Sequence, residues 1–356
     1  MNKYLSLFLL ASVAVFASCD KDDDNNSNEP ISVTEGMYVI NEGNYYSGID
    51  GSLSYLDYAT DKINNKVFQQ ANGISLGGTP NDGIIFNDML VIPATDEQMV
   101  WFVDSKTFKV VDKLSLNFQP RKITADENRV YISTYSGRVI AYNPETKVAE
   151  TSEVIGACLE DIVYLNGYIY VCNTYNADYT YNTNVVKLNA SDLRKVKDIT
   201  VVCNPSQIET DGKDIYVMSY GDYASVGSAI QKIDSQDNVK TLCEGSNFTL
   251  GNDVLYYYVT SYDENWQSII SYNTYDLTTG KIAPFIDGND IEYPGSIAFD
   301  SNNNYIYVSA YHLSEYGYGD YNTPGYIVKY DLKGNKLGSY DVGVGPKTMV
   351  FKTSVK

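Results

Sequence analysis

Two sets of residues in this 356-residue chain carry chemistry that a fold could focus. The first is a series of stretches rich in tyrosine, glycine and asparagine: NEGNYYSGID (41–50), NTYNADYTYNT (173–183), SYGDYASVGS (219–228), TSYDENWQ (260–267) and AYHLSEYGYGDYNTPGY (310–326). Such mixtures suit recognition, because tyrosine offers a broad stiff face and one hydroxyl at little entropic cost while Gly, Ser and Asn adapt around it. The second is a set of seven polar pairs: Asn81-Asp82, Arg121-Lys122, Glu160-Asp161, Ser206-Gln207, Ser246-Asn247, Gly295-Ser296 and Lys347-Thr348. They could hydrogen-bond a ligand, or they could satisfy one another. Catalytic signals are absent: His312 is the only histidine, and neither a Ser/His/Asp order nor a Gly-rich phosphate loop occurs. Carboxylates such as Asp82, Glu160 and Asp161 could hold Ca²⁺ only if oxygen ligands converge from several segments. The expectation is a binding protein and not an enzyme, with no catalytic residue, no metal and no intrinsic cofactor.

The segments around these residues repeat. Seven times a β-rich run ends in Asp or Asn before a short polar turn: Asp57, Asp104, Asn143, Asn189, Asp234, Asp276 and Asp331. A side-chain oxygen there can accept from the backbone N–H two residues on and start the turn. Upstream of each lies a second apolar run, such as MYVI at Met37 or IYVS at Ile306. Before six of those comes a third, usually opened by proline: PNDGII, PRKI, LEDI, PSQI, GSNF and PGSI. The missing seventh is PKTMVF, at the C-terminus. A four-stranded unit recurring roughly every 40–50 residues is the mark of a propeller blade. The expected fold is therefore all-β, a seven-bladed β-propeller over residues 36–356 whose first blade is closed by the C-terminal strand. The runs YVCN at Tyr170 and YVSA at Tyr307 resemble the repeat of the YVTN class of seven-bladed propellers, a motif that speaks to fold and not to function.

With strands A to D running outward from the axis, the A–B and C–D turns are terse and share one face, whereas the B–C loops are the long tyrosine-rich segments and share the other. The starts of the A strands, with their polar pairs, lie inside that rim. A bowl with an aromatic wall and a mixed polar floor suits a large ligand with apolar faces and many hydrogen-bonding groups. From loop position alone, the candidate ligand-binding residues are Tyr45, Tyr46, Asp82, Arg121, Tyr135, Glu160, Tyr175, Gln207, Tyr220, Asn247, Tyr262, Trp266, Tyr311, His312 and Lys347. For Arg121 and Glu160, mutual pairing between blades is an equal alternative.

The N-terminus stands apart. A short positive start, an apolar run from Tyr4 to Phe16 too short to span a bilayer, and Ala17-Ser18-Cys19 resemble a bacterial lipoprotein signal. That resemblance implies a signal peptide over 1–18 and lipidation of Cys19, with an ordinary secretory signal as the alternative. Residues 19–35 then read as a lipidated cysteine and an acidic flexible tether. An acidic run in that place resembles the export signal of Bacteroidota surface lipoproteins, which implies anchorage in the outer membrane facing the cell exterior. The net charge of −19, with no basic cluster, disfavours nucleic acid and anionic membrane surfaces. Cys158, Cys172, Cys203 and Cys243 would stand in an oxidising compartment, where one or two disulfides are permitted but not required.

Taken together, the tether after Cys19, the opening GMYVINEGNYYSGIDGSLSYLD (36–57) and the blade repeat resemble the cobalamin-binding surface lipoproteins of gut Bacteroidota, the BtuG type. The resemblance implies capture of vitamin B12 (cobalamin) and related corrinoids, and hand-off to a TonB-dependent, BtuB-like outer-membrane transporter. A phosphate in such a ligand would have Arg121, Lys122 or Lys347 as a partner. The other expectations that the residues leave open are a different large solute, an iron siderophore or a glycan, and a protein-interaction propeller.

Overall fold

The computed structural model describes residues 31–264 and 268–355. The expected signal peptide, Cys19 and most of the acidic tether lie outside the described residues. Seven antiparallel four-stranded sheets make up the fold. Their inner strands are Pro346–Val355, Ile84–Phe86, Pro120–Ala125, Cys158–Leu165, Pro205–Thr210, Asn247–Gly251 and Tyr293–Asp300. Blade one is assembled as expected: the inner strand Pro346–Val355 pairs with Ser32–Asn41, which pairs with Ser52–Asp57 and through it with Lys62–Asn64. The first three strands and the last strand of the chain thus share one sheet, and the ring has no open end.

Strand alternation explains the core. Along Met37–Ile40 every side chain is buried, but Met37 and Val39 pack against blade seven while Tyr38 and Ile40 pack against blade two. A strand sandwiched between two sheets has apolar residues on both faces, so its sequence reads as a continuous hydrophobic run. Seven apolar clusters result, one at each junction between blades.

The turn residues behave as their chemistry requires. Each of the seven Asp or Asn residues accepts a hydrogen bond from the N–H two residues on, for example Ala59 to Asp57 Oδ1 at 2.8 Å and Glu145 to Asn143 Oδ1 at 2.9 Å. One element lacks a counterpart in the sequence reading. A short helix, Val67–Asn72, follows the outer strand of blade one and buries Val67 and Phe68 beside Trp101.

Candidate functional site

An inner strand is the edge of its own sheet, so its axial row of N–H and C=O groups lacks a ladder partner. Polar side chains of neighbouring blades supply the missing bonds at all seven junctions. Asp82 Oδ2 accepts from Ile123 N at 2.8 Å, Thr124 Oγ1 from Tyr164 N, and Asp161 Oδ2 from Ile208 N. Gln207 accepts from Phe248 N and donates to Phe248 O, Asn247 Oδ1 accepts from Ile297 N, Ser309 donates to Pro346 O, and Thr348 donates to Asn81 O. Asp82, Gln207 and Asn247 therefore each hold a structural bond to the backbone of the next blade, not to another of the polar pairs.

Asp82, Asp161, Gln207, Asn247 and Thr348 also line an axial cavity of about 520 Å³, to which all seven blades contribute. Two of its cations, both from blade three, pair with neighbouring blades. Arg121 makes a bidentate ion pair with Glu160, Nη2 to Oε2 being 3.0 Å, and its guanidinium lies 4.3 Å over the ring of Tyr135, whose hydroxyl donates to Glu160 Oε1 at 3.0 Å. Lys122 donates to the carbonyl of Asn81 at 2.9 Å and lies 3.8 Å from Asp82. Deeper in the cavity, burial pushes the Glu209 carboxyl up to about 8, with the neighbouring Asp161 adding to it. Burial pushes Asp161 itself up, against the pull of Lys122.

Those two carboxyls set a pH dependence. Between the ordinary carboxylate range and their folded values they are protonated in the folded chain and ionised in the unfolded chain. The folded state then binds more protons, so this stabilisation is fully present at low pH and is lost as pH rises through the folded values. The melting temperature is expected to rise on going from about pH 8.5 to about pH 5.5. A flat or opposite profile in a calorimetric scan would show that both groups stay ionised in the fold.

A second cavity, of about 500 Å³, opens on the loop face beside the axial one and shares Tyr220, Gly295 and Lys347 with it. Its wall is tyrosine from blades five, six and seven: Tyr220, Tyr223, Tyr258, Tyr262, Tyr293, Tyr311 and Tyr321, with Glu42 arriving from blade one. The rings support one another: Tyr220 and Tyr223 stack at 6.2 Å, and Tyr311 meets Tyr321 edge-on at 5.0 Å. Tyr258 is buried and donates to Gly295 O at 3.1 Å, while Tyr223 is 70% exposed. The loop of blade one is tied to that of blade seven, since Asn44 donates to Asn322 Oδ1 and to Tyr321 O.

Of the expected residues, the structure brings Tyr220, Tyr262, Tyr311 and Lys347 to the tyrosine cavity, and Asp82, Arg121, Glu160, Gln207 and Asn247 to the axial one. Tyr135 packs on the Arg121–Glu160 pair and lines neither cavity, nor does Tyr175, which stacks on Tyr179 at 6.0 Å. Tyr45 and Tyr46 sit exposed on a 3-10 turn. His312 faces Glu292, Nδ1 to Oε1 being 2.9 Å, and does not line either cavity. Trp266 lies outside the described residues, as does Cys19. The sequence reading missed Glu42, Tyr258 and Tyr293. Tyr293 carries a usable signal, an aromatic residue directly before the proline that opens an inner strand, whereas Tyr258 reads as an ordinary core residue.

Strands also run further than the loops suggest, for Tyr175 ends one strand of blade four and Tyr181 begins the next. Cys158, Cys172, Cys203 and Cys243 are free thiols. Among the described residues no group of three or more His, Cys, Asp or Glu side chains is placed to hold a metal ion, and no helix is long and apolar enough to cross a membrane.

A family model described as "Domain of unknown function (DUF5074)" matches residues 35–241. A search of curated protein sequences finds no match. Solved propellers resemble the chain in fold. A hypothetical selenium-binding protein from Sulfolobus tokodaii aligns with a TM-score of 0.64 at 10% identity, covering 93% of this chain and 94% of its own. Hydrazine synthase from Kuenenia stuttgartiensis aligns at 0.60 and 16% identity over 78% of this chain and 95% of that one. Apo AztD from Citrobacter koseri aligns at 0.56 and 11% identity over 92% and 99%. At such identities the likeness extends to the fold alone.

Proposed function

Since the chain belongs to the DUF5074 family, whose description names no ligand, we propose its function from the bowl itself: capture of cobalamin and related corrinoids at the cell surface. In this reading the propeller is lipid-anchored through Cys19 in the outer membrane, faces the exterior, and passes its ligand to a TonB-dependent, BtuB-like transporter. It binds and does not catalyse, and it carries no cofactor of its own.

The observation that carries the reading is the joining of two unlike surfaces. The tyrosine cavity offers broad aromatic faces with hydroxyls at their edges, and it runs into a polar floor studded with amides, carboxylates and cations. A corrinoid is a wide ring, apolar on its faces and edged with amides, that carries a phosphate-ribose-base tail. Such a body matches an aromatic wall next to hydrogen-bonding groups better than either a small metabolite or a flat protein partner does. The resemblance of the tether and of residues 36–57 to the BtuG type points the same way.

Titration of the soluble chain beginning after Cys19 with cyanocobalamin, by calorimetry and by co-elution of the coloured ligand on gel filtration, tests it. One-to-one saturation is expected. No uptake at micromolar ligand would overturn the corrinoid assignment and turn the search to siderophores and glycans.

A further inference from the structure

Three cations face the bowl, and the fold treats them differently. The guanidinium of Arg121 is held by both oxygens of Glu160, and Lys122 is spent on the Asn81 carbonyl and Asp82. Lys347, where the two cavities meet, has no hydrogen-bond or ion-pair partner among the described residues. An ammonium drawn out of bulk water with its donors unsatisfied is costly, and a protein keeps such a group where a ligand brings the acceptor.

Its position is built rigidly. Gly345, two residues earlier, adopts φ +70°, and a Cβ there would lie 2.8 Å from the Gly43 carbonyl. The turn is pinned to the loop of blade one, with Glu42 N donating to Gly345 O at 2.7 Å and Gly43 N donating to Val344 O at 2.9 Å. The same junction carries the Glu42 carboxylate into the tyrosine cavity. It stays beyond ion-pair distance of Lys347, yet it is close enough to hold the ammonium well above the usual lysine range despite burial. Lys347 is thus charged, oriented and unspent, with Tyr220, Tyr311 and Tyr321 around the same cavity.

We propose that Lys347 is the seat of an anionic, phosphate-class group of the captured ligand, whose apolar body rests on the surrounding tyrosines. The inference rests on the corrinoid reading in one respect: there, the anion is the phosphodiester of the nucleotide tail. It selects Lys347 over Arg121 and Lys122, which share its face of the bowl but not its freedom.

The test compares cyanocobalamin with dicyanocobinamide, which lacks the phosphate, on the wild-type chain and on Lys347→Gln and Lys347→Arg. Lys347→Gln is expected to weaken cyanocobalamin about 10- to 100-fold, the worth of a hydrogen bond to a charged group, and to change cobinamide less than about 3-fold. Lys347→Arg should recover most of the loss. The wild-type chain supplies a measurement that needs no variant: added salt should weaken cyanocobalamin and leave cobinamide nearly unchanged. Equal effects of charge removal and of salt on both ligands would overturn the proposal while leaving corrinoid capture standing. Should the wild type bind neither corrinoid, the corrinoid reading fails, and millimolar phenyl phosphate followed by ³¹P line broadening decides the anion seat. Saturable broadening that Lys347→Gln abolishes supports it, and the same response from both proteins overturns it.

Discussion

Alanine at both Tyr220 and Tyr223 is expected to weaken cyanocobalamin binding by at least about 100-fold while moving the melting temperature by no more than a few degrees. The two rings stack on each other at the mouth of the tyrosine cavity, and they are 36% and 70% exposed. Side chains that open to solvent add little to the core, so removing them costs the fold little. Bound against a flat apolar ligand, the same rings would lose that exposure, and buried aromatic anchors are where interface energy concentrates. Tyr216 makes the contrast. It is 1% exposed in the junction of blades five and six, with its hydroxyl donating to Asp211 Oδ2 at 2.9 Å. Tyr216→Ala should cost about 3–5 kcal/mol of stability, as for other buried aromatics, and leave the affinity of the folded fraction unchanged. Isothermal titration paired with thermal melting on both variants separates the roles. If Tyr216→Ala lost affinity and the rim pair did not, the binding face would have been assigned to the wrong side of the molecule.

Truncation after Gly345 is expected to abolish folding altogether. The last strand supplies the inner wall of blade one, pairs along the length of Ser32–Asn41, and brings Met349 and Val350 into the clusters on either side of that blade. Without it, the unpaired edge of Ser32–Asn41 and the apolar residues beneath it face the axial cavity, and the ring gains an open end. The failure would be one of connectivity and not of local sequence, so a rescue is available. Val355 lies opposite Ser32 in the register, which allows a short hairpin linker to join the two. A circular permutant that starts at Pro346, passes through that linker and ends at Gly345 should fold and melt like the parent. A truncated chain that still melts cooperatively near the parental temperature would refute the closure argument.

How much could be read in advance follows from how local each signal is. The seven turn-starting Asp and Asn residues act on N–H groups two positions away, and the strands announce themselves through side chains at adjacent positions, so both were legible without any coordinates. From these came the blade count, the exchange of strands in blade one, and the division into a terse face and a tyrosine-rich face. The floor was legible only in part. Asp82, Gln207 and Asn247 were identifiable as residues at the starts of inner strands, but not as donors and acceptors already bound to the next blade.

The remaining assignments needed the closed ring. Glu42 and Lys347 are far apart in sequence and line one cavity because the last strand lies beside the first. Tyr293 and Tyr258 join Tyr220 because blades five, six and seven line one cavity, whereas Tyr45 and Tyr46, in an equally tyrosine-rich loop, stay exposed outside it. His312 is turned to Glu292 by a contact that its own loop does not foretell. The blades follow from the order of residues alone, because hydrogen-bonded turns and alternating strands are properties of neighbouring residues. Which polar groups remain unspent emerges with the closed ring, because a side chain's partners across a junction depend on how seven sheets pack around one axis.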